Sequence, residues 1–200
     1  MFRTKDLCSI ALIELEPMTI DLSPGKFHVL MGRNGAGKSR LLHILSTQNF
    51  FDLNYAAWNG KSLGGWSIGP DRQVAPIDDS LANHPLFTLE DLILIHQDTF
   101  ENNFHDWKAE IQKTYNCDLE LPLNRISQSQ MACVLFELAL LRKPQLLVLD
   151  ELPFPLDASA WENISEKLRT FLTRGGTVVV ATNNSTEWSG IADQFHVCEP

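Results

Sequence analysis

No stretch of this chain approaches the roughly 18 to 20 consecutive apolar residues needed to cross a bilayer, so it offers no membrane span of its own. Basic residues are scarce as well: 16 Lys and Arg stand against 25 Asp and Glu, a formal charge of -9. Phosphate contacts along a nucleic acid need clustered cations, so a general nucleic-acid binder is disfavoured and no nucleic-acid partner is expected. The four cysteines, Cys8, Cys117, Cys133 and Cys198, form no CxxC pair, and Cys133 lies in an apolar run, so buried free thiols are the economical reading. Near the start, Arg3, Lys5 and Asp6 precede a short mixed segment that does not read as a signal peptide. An apolar fraction of 44% with five tryptophans argues against disorder, and 200 residues suit one domain spanning 1–200 with a real core.

What the chain does contain is the run Gly32-Arg33-Asn34-Gly35-Ala36-Gly37-Lys38-Ser39, directly after the apolar segment 27–31. Three glycines let the backbone turn tightly and aim successive N–H groups at phosphate oxygens, while the lysine reaches the β and γ phosphates. Ser39 would coordinate magnesium there, and Arg40 follows in the first turn of a helix whose positive end favours an anion. Leu41, Leu42, Ile44 and Leu45 give that helix one apolar face. A bound nucleotide places the chain in a compartment that contains ATP, with any membrane connection made through a partner.

The remaining pattern alternates strands and helices. Strand-like stretches cover 7–15 and 18–22, and Ser23-Pro24-Gly25 turns the chain into the strand before the loop. Residues 55–58 read as a strand ending at the turn Asn59-Gly60, with Trp58 and Trp66 as packing residues. Helices are predicted from Thr88, from Phe104 or Asp106 to about Tyr115, and over 127–141, where Lys143-Pro144 stops the last. Residues 146–149 form a short apolar strand of the buried parallel type. A helix capped by Asp157 or Ser159 then runs to about Leu172, the turn Arg174-Gly175-Gly176 closes it, and 177–181 is a further buried strand. This order predicts an α/β fold with a mostly parallel sheet, and a helical segment over about 85–145.

The strand 146–149 ends in Asp150-Glu151. Acids at the C-terminal end of a buried strand sit where ligands bind in open α/β sheets. Asp150 would hold magnesium, directly or through water, and Glu151 would orient or deprotonate the water that attacks the γ phosphate. Two acids that merely end a strand in water are the plainer alternative.

With these elements the chain resembles an ABC-type ATPase, a P-loop NTPase that serves as the nucleotide-binding subunit of an ABC transporter, over about 7–197. In that family a Gln loop, an LSGGQ signature opening a helical signature subdomain, a Walker B strand followed by Glu, a D-loop ending in Leu-Asp and a switch His follow the phosphate loop. Here Walker B reads LLVLDE and Leu156-Asp157 matches the D-loop end. Ile126-Ser127-Gln128-Ser129-Gln130 fills the signature, keeping Ser127 and Gln130 and losing both glycines. The resemblance implies that Ser127 acts in trans, over the γ phosphate of ATP held by a partner copy or homologue. It also implies ATP and Mg²⁺ as ligands, integral membrane subunits as partners, and a peripheral place on the cytoplasmic face of a membrane.

Departures from the family pattern bear on turnover. Glycines at the signature let backbone N–H groups approach closely, and Gln128 and Ser129 put side chains there. Asn183 stands where the switch His is usual; an amide can hydrogen-bond a phosphate without taking part in proton transfer. Asp78 or Asp79 falls where the Gln loop is expected, with Gln73 and Gln97 at awkward offsets, and no aromatic residue between Arg3 and Lys26 is present to stack on adenine. Slow hydrolysis follows, and a weakly hydrolytic regulatory module beside a competent partner is the alternative. A DNA-metabolism ATPase of this family needs a long coiled-coil insertion, for which the about 110 residues between Ser39 and Asp150 leave no room. A P-loop kinase is disfavoured because Glu151 directly follows Asp150 and no Arg-rich lid is visible.

Within the family, Ala57-Trp58-Asn59-Gly60-Lys61 and Leu121-Pro122-Leu123-Asn124-Arg125 are similar to segments of the CcmA group, the ATP-binding subunits of the haem exporter used in cytochrome c maturation. That likeness implies haem-handling maturation proteins as indirect partners. The segment from about Pro70 to Tyr115, with Leu86, Phe87, Phe100, Phe104 and Trp107, would suit a groove for a membrane partner, and core packing explains part of the same set.

Overall fold

The computed structural model describes residues 8–10, 22–23, 25–47, 53–58, 61–63, 74–76, 84–95, 104–150 and 156–198. Their main feature is a five-stranded sheet of β2 (Phe27–Met31), β5 (Val74–Pro76), β6 (Leu146–Asp150), β7 (Thr177–Thr182) and β8 (Gln194–Val197), in the order β5-β6-β7-β2-β8. Every pairing in it is parallel. Runs such as LLVLD and TVVVAT suit this position, because strands covered on both faces need apolar side chains on both; the first four residues of β6 and all of β7 are buried. Registers Met31↔Thr182 and Asp150↔Ala181 bring the C-terminal ends of β6, β7 and β2 side by side. A separate antiparallel sheet joins β1 (Cys8–Ile10), β3 (Leu53–Trp58) and β4 (Lys61–Leu63) in the order β1-β3-β4. Trp58 pairs with Lys61, as a hairpin across Asn59-Gly60 requires, although that turn itself lies outside the described residues.

Helix α1 (Lys38–Thr47) turns Leu41, Leu42 and Leu45 into one core with Leu30, Leu146, Val148 and Val179. The apolar spacing read from the sequence is the cause: these positions recur on one face of a 3.6-residue helix. Helix α5 (Ala158–Thr173) starts where the Asp157 carboxylate accepts the Ala160 N–H at 2.9 Å, so Asp157 rather than Ser159 is the cap. It ends in a Schellman turn, with Gly175 at φ +89° and bonds from Gly176 N–H to Phe171 O and from Gly175 N–H to Leu172 O. The chain divides into two compact units, Met1–Pro76 with Pro144–Glu151 and Lys167–Pro200, and Ile77–Lys143 with Leu152–Glu166.

The second unit carries helices α2 (Leu89–Ile95), α3 (Phe104–Tyr115) and α4 (Gln128–Leu141). Thr88 and Asp91 cap α2 reciprocally: the Thr88 N–H and hydroxyl both donate to Asp91 Oδ2 at 2.8 Å, and the Asp91 N–H donates to the Thr88 hydroxyl. Those bonds hold the Asp91 carboxyl below its ordinary range. The Tyr115 hydroxyl donates to Glu137 at 2.7 Å, with Asn163 Oδ1 at 3.1 Å; burial first, then the Glu137 bond and charge, push its phenol well up. Cys117, Cys133 and Cys198 are buried free thiols, as the sequence suggests, while the Cys8 side chain lies outside what is described. Among the described residues no helix is long and apolar enough to cross a membrane.

Strand β8 was not anticipated from the sequence. Its four residues alternate between half-buried and exposed at the sheet edge, so no apolar run announces it. A histidine pair ties it down: His28 Nδ1 lies 3.0 Å from His196 Nε2, and His28 Nε2 lies 3.1 Å from the Ser23 carbonyl. A carbonyl only accepts, so His28 carries a proton on Nε2, and with a neutral ring its Nδ1 receives the bond from His196. His28 is fully buried. His196→Ala is therefore expected to remove the bond to His28 Nδ1 and to lose about 0.5–1.5 kcal/mol of stability, whereas His196→Gln, which keeps a donor, recovers part of it. Thermal unfolding of the three proteins checks this; equal midpoints would contradict it.

Candidate functional site

The loop between β2 and α1 is shaped by its glycines. Gly35 and Gly37 take φ of +87° and +84°, which side-chain-bearing residues avoid. Gly32 fails differently if replaced: a Cβ there would run into the Cys198 carbonyl and the Ala36 methyl. An Ala36 N–H bond to Arg33 O at 3.1 Å closes the turn, and Leu41 N–H to Gly37 O at 2.9 Å begins the helix. Arg33, Asn34, Gly35, Ser39 and Arg40 are exposed, whereas Ala36 and Lys38 are buried.

Lys38 is only 7% exposed, and a buried ammonium needs acceptors for its three donors. It has them: Gly32 O at 2.7 Å, Arg33 O at 3.1 Å and Asn183 Oδ1 at 2.9 Å. Asn183 directly follows β7, the strand between β2 and β6 in the sheet. Its Nδ2 donates to Asn34 Oδ1 at 2.9 Å, so one amide bridges the lysine and the loop. The sequence placed Asn183 near the phosphates but gave no sign of the Asn34 link, which joins positions 149 residues apart.

Across the sheet, Ser39 Oγ donates to Asp150 Oδ1 at 3.0 Å. A hydroxyl and a carboxylate side by side are hard oxygen donors of the kind Mg²⁺ accepts alongside water and phosphate oxygens. The donor set therefore fits that ion. Lys38, Ser39, Asn34, Asn183 and Asp150 thus gather at the C-terminal edge of three neighbouring strands, where open α/β sheets bind ligands. Glu151 lies outside the described residues, as do the Gln-loop candidates Asp78, Asp79, Gln73 and Gln97.

The second unit holds the Ser127 region. Ser127 is the N-cap of α4: its hydroxyl accepts the Gln130 N–H at 3.1 Å, and the Gln130 side chain accepts the Ser127 N–H at 3.3 Å. Gln130 Nε2 also donates to the carbonyls of Tyr115 and Asn116, both at 3.0 Å, fixing the start of α4 to the end of α3. Ser129, where the family has glycine, is engaged internally: its hydroxyl receives the Asp157 N–H at 3.2 Å. Bonds from the Ala160 N–H and then the Ser129 hydroxyl hold the Asp157 carboxyl below its ordinary range. The sequence identified both positions without linking them, since nothing local signals a contact across 28 residues.

Comparison with known proteins identifies the family. The ABC transporter family model matches residues 15–153. The chain is 30% identical over 193 residues to Nod factor export ATP-binding protein I of Rhizobium etli, covering 91% of this chain and 59% of that protein. It is 26% identical over 193 residues to the arabinose import ATP-binding protein AraG of Escherichia coli, covering 92% and 38%. It is 28% identical over 187 residues to the oligopeptide transporter ABCB9 of Mus musculus, covering 86% and 24%. The chain thus spans between 24% and 59% of the length of these relatives. Two solved structures share its fold: an ATP-binding subunit of an ABC transporter, at TM-score 0.76 and 21% identity over 100% of this chain and 86% of that one, and a dimeric ATP-binding cassette bound to ADP and Pi, at 0.71 and 19% over 93% and 88%. The α/β fold with a parallel sheet is that of the ABC ATPases, and the chain belongs to the ABC transporter family as an ATP-binding domain.

Proposed function

We propose that this chain binds ATP with Mg²⁺ and hydrolyses it slowly as the nucleotide-binding subunit of an ABC transporter, its two units forming one such domain. The convergence of Lys38, Asn183, Ser39 and Asp150 at one sheet edge carries the reading. Bound at Ser39 and Asp150, the metal supplies charge neutralisation at the phosphates. Lys38 holds the phosphate oxygens, the loop N–H groups orient them, and Glu151 takes the proton of the attacking water. A second copy or a homologue lends Ser127 and the N-terminus of α4 to complete the site.

Gln128 and Ser129 stand where glycines would let that partner backbone approach, which weakens closure. Gln128→Gly, which leaves the Ser129 bond to Asp157 in place, is expected to raise steady-state ATP hydrolysis on the order of tenfold, the size of about one recovered hydrogen bond. A phosphate-release assay reads this, and an unchanged or lower rate would contradict it. Gln128 is exposed, so its replacement tests the partner contact without disturbing a core.

Integral membrane subunits are the coupled partners in this reading, with the chain held peripherally on the cytoplasmic face. Exposed Leu86 and Ile95 support a partner surface in the second unit. The finer assignment, the haem exporter of cytochrome c maturation with haem-handling proteins nearby, is supported by the small size, the segments 57–61 and 121–125 and the interval from Glu90 to Ile126. The names of the relatives speak instead of Nod factor, arabinose and oligopeptides. Copurification from membranes tests the whole reading: a membrane subunit that accompanies the chain and accelerates its ATP turnover supports it, and recovery of the chain alone with unaltered turnover opposes it. Recovery of a haem-handling protein in the same complex would decide the finer one. A regulatory module that holds ATP with little turnover is the second reading, favoured by the amide of Asn183 at the switch position.

A further inference from the structure

We infer that Asn183 is a latch on Lys38, a positioning residue that occupies the lysine when no nucleotide is bound and must turn over for phosphate to enter. The inference rests on the reading of this site as an ATP site. An ammonium has three donors and no acceptor, and here all three are taken. Gly32 O and Arg33 O belong to the loop that surrounds the phosphate, so they stay in place when it binds. Asn183 Oδ1 comes from a different element and is the exchangeable acceptor.

The direction in which the amide points is fixed by its partners. Because Lys38 can only donate, Asn183 must present its oxygen to it, which aims Nδ2 at Asn34 Oδ1. An amide oxygen beside an incoming phosphate faces like partial charge with like. Binding therefore requires the amide to leave Lys38, break its bond to Asn34 and turn, after which Nδ2 can donate to a terminal phosphate. ADP bears the cost of release without the return, since it lacks the terminal phosphate. ATP recovers it. The latch thus discriminates between the two nucleotides, with Asn34 setting how tightly it closes.

Calorimetric titration of Mg-ATP and Mg-ADP into the wild-type chain, Asn183→Ala and Asn34→Ala tests this. Asn183→Ala is expected to bind ADP about tenfold more tightly, the size of one hydrogen bond to a charged group, with ATP affinity nearly unchanged, so that preference for ATP falls. Asn34→Ala keeps the amide but frees it to turn, so both nucleotides should tighten together and the preference should persist. An ADP affinity that is unchanged or weaker in Asn183→Ala, or ATP and ADP shifts of equal size there, overturns the latch. A wild-type chain that binds neither nucleotide overturns the ATP-site reading itself.

Discussion

Lys38→Ala is expected to weaken Mg-ATP binding by about two orders of magnitude or more, since bonds from an ammonium to phosphate are charge-assisted and worth roughly 1.5–3 kcal/mol each. The structure adds a second cause. Lys38 is tied to the carbonyls of Gly32 and Arg33, so it shapes the loop that aims the backbone donors as well as meeting the phosphates. Lys38→Arg should fail almost as badly, because a planar guanidinium cannot take the place of a compact ammonium in a slot only 7% exposed. Fluorescent-nucleotide titration separates these variants from the wild type, and an affinity within threefold of it would refute the assignment.

Glu151→Gln should act on turnover alone. Removing a general base typically slows the chemical step by about 10²–10⁴-fold, whereas the contacts that hold the nucleotide, centred on Lys38, Ser39 and Asp150, are left in place. The expected pattern is retained ATP affinity with phosphate release reduced by that factor, measured in parallel on the same preparations. Loss of affinity together with rate would assign Glu151 to binding instead.

Much of this site was legible because its chemistry is local. The glycines, lysine and serine of 32–39 lie in one loop, and Asp150 ends a strand whose apolar run is unmistakable, so each half could be read in isolation. The helices followed from 3.6-residue spacing; Asp157 caps its helix as one of the two expected positions, while the caps at Thr88 and Ser127 stand where helices were expected to begin but were not themselves read from the sequence. What the sequence hid depends on distant pairing. Strand β8 exists because His28, Met31 and their neighbours offer an edge to pair with, not because Gln194–Val197 is strongly strand-forming by itself. The Asn183 bridge to Lys38 and Asn34, and the Ser129 bond to Asp157, arise only when the chain is folded. The changed signature could thus be seen as a loss of glycine, but not as a gain of an internal bond that anchors Asp157.

Single-turnover hydrolysis of Mg-ATP by the wild-type chain, alone and with its membrane partner, measured beside Glu151→Gln, tests the central claim most directly. The account predicts slow phosphate release by the wild type that exceeds the variant and rises when the partner is present. A wild-type rate no better than that of Glu151→Gln in both settings would contradict it and leave a nucleotide-binding module without turnover.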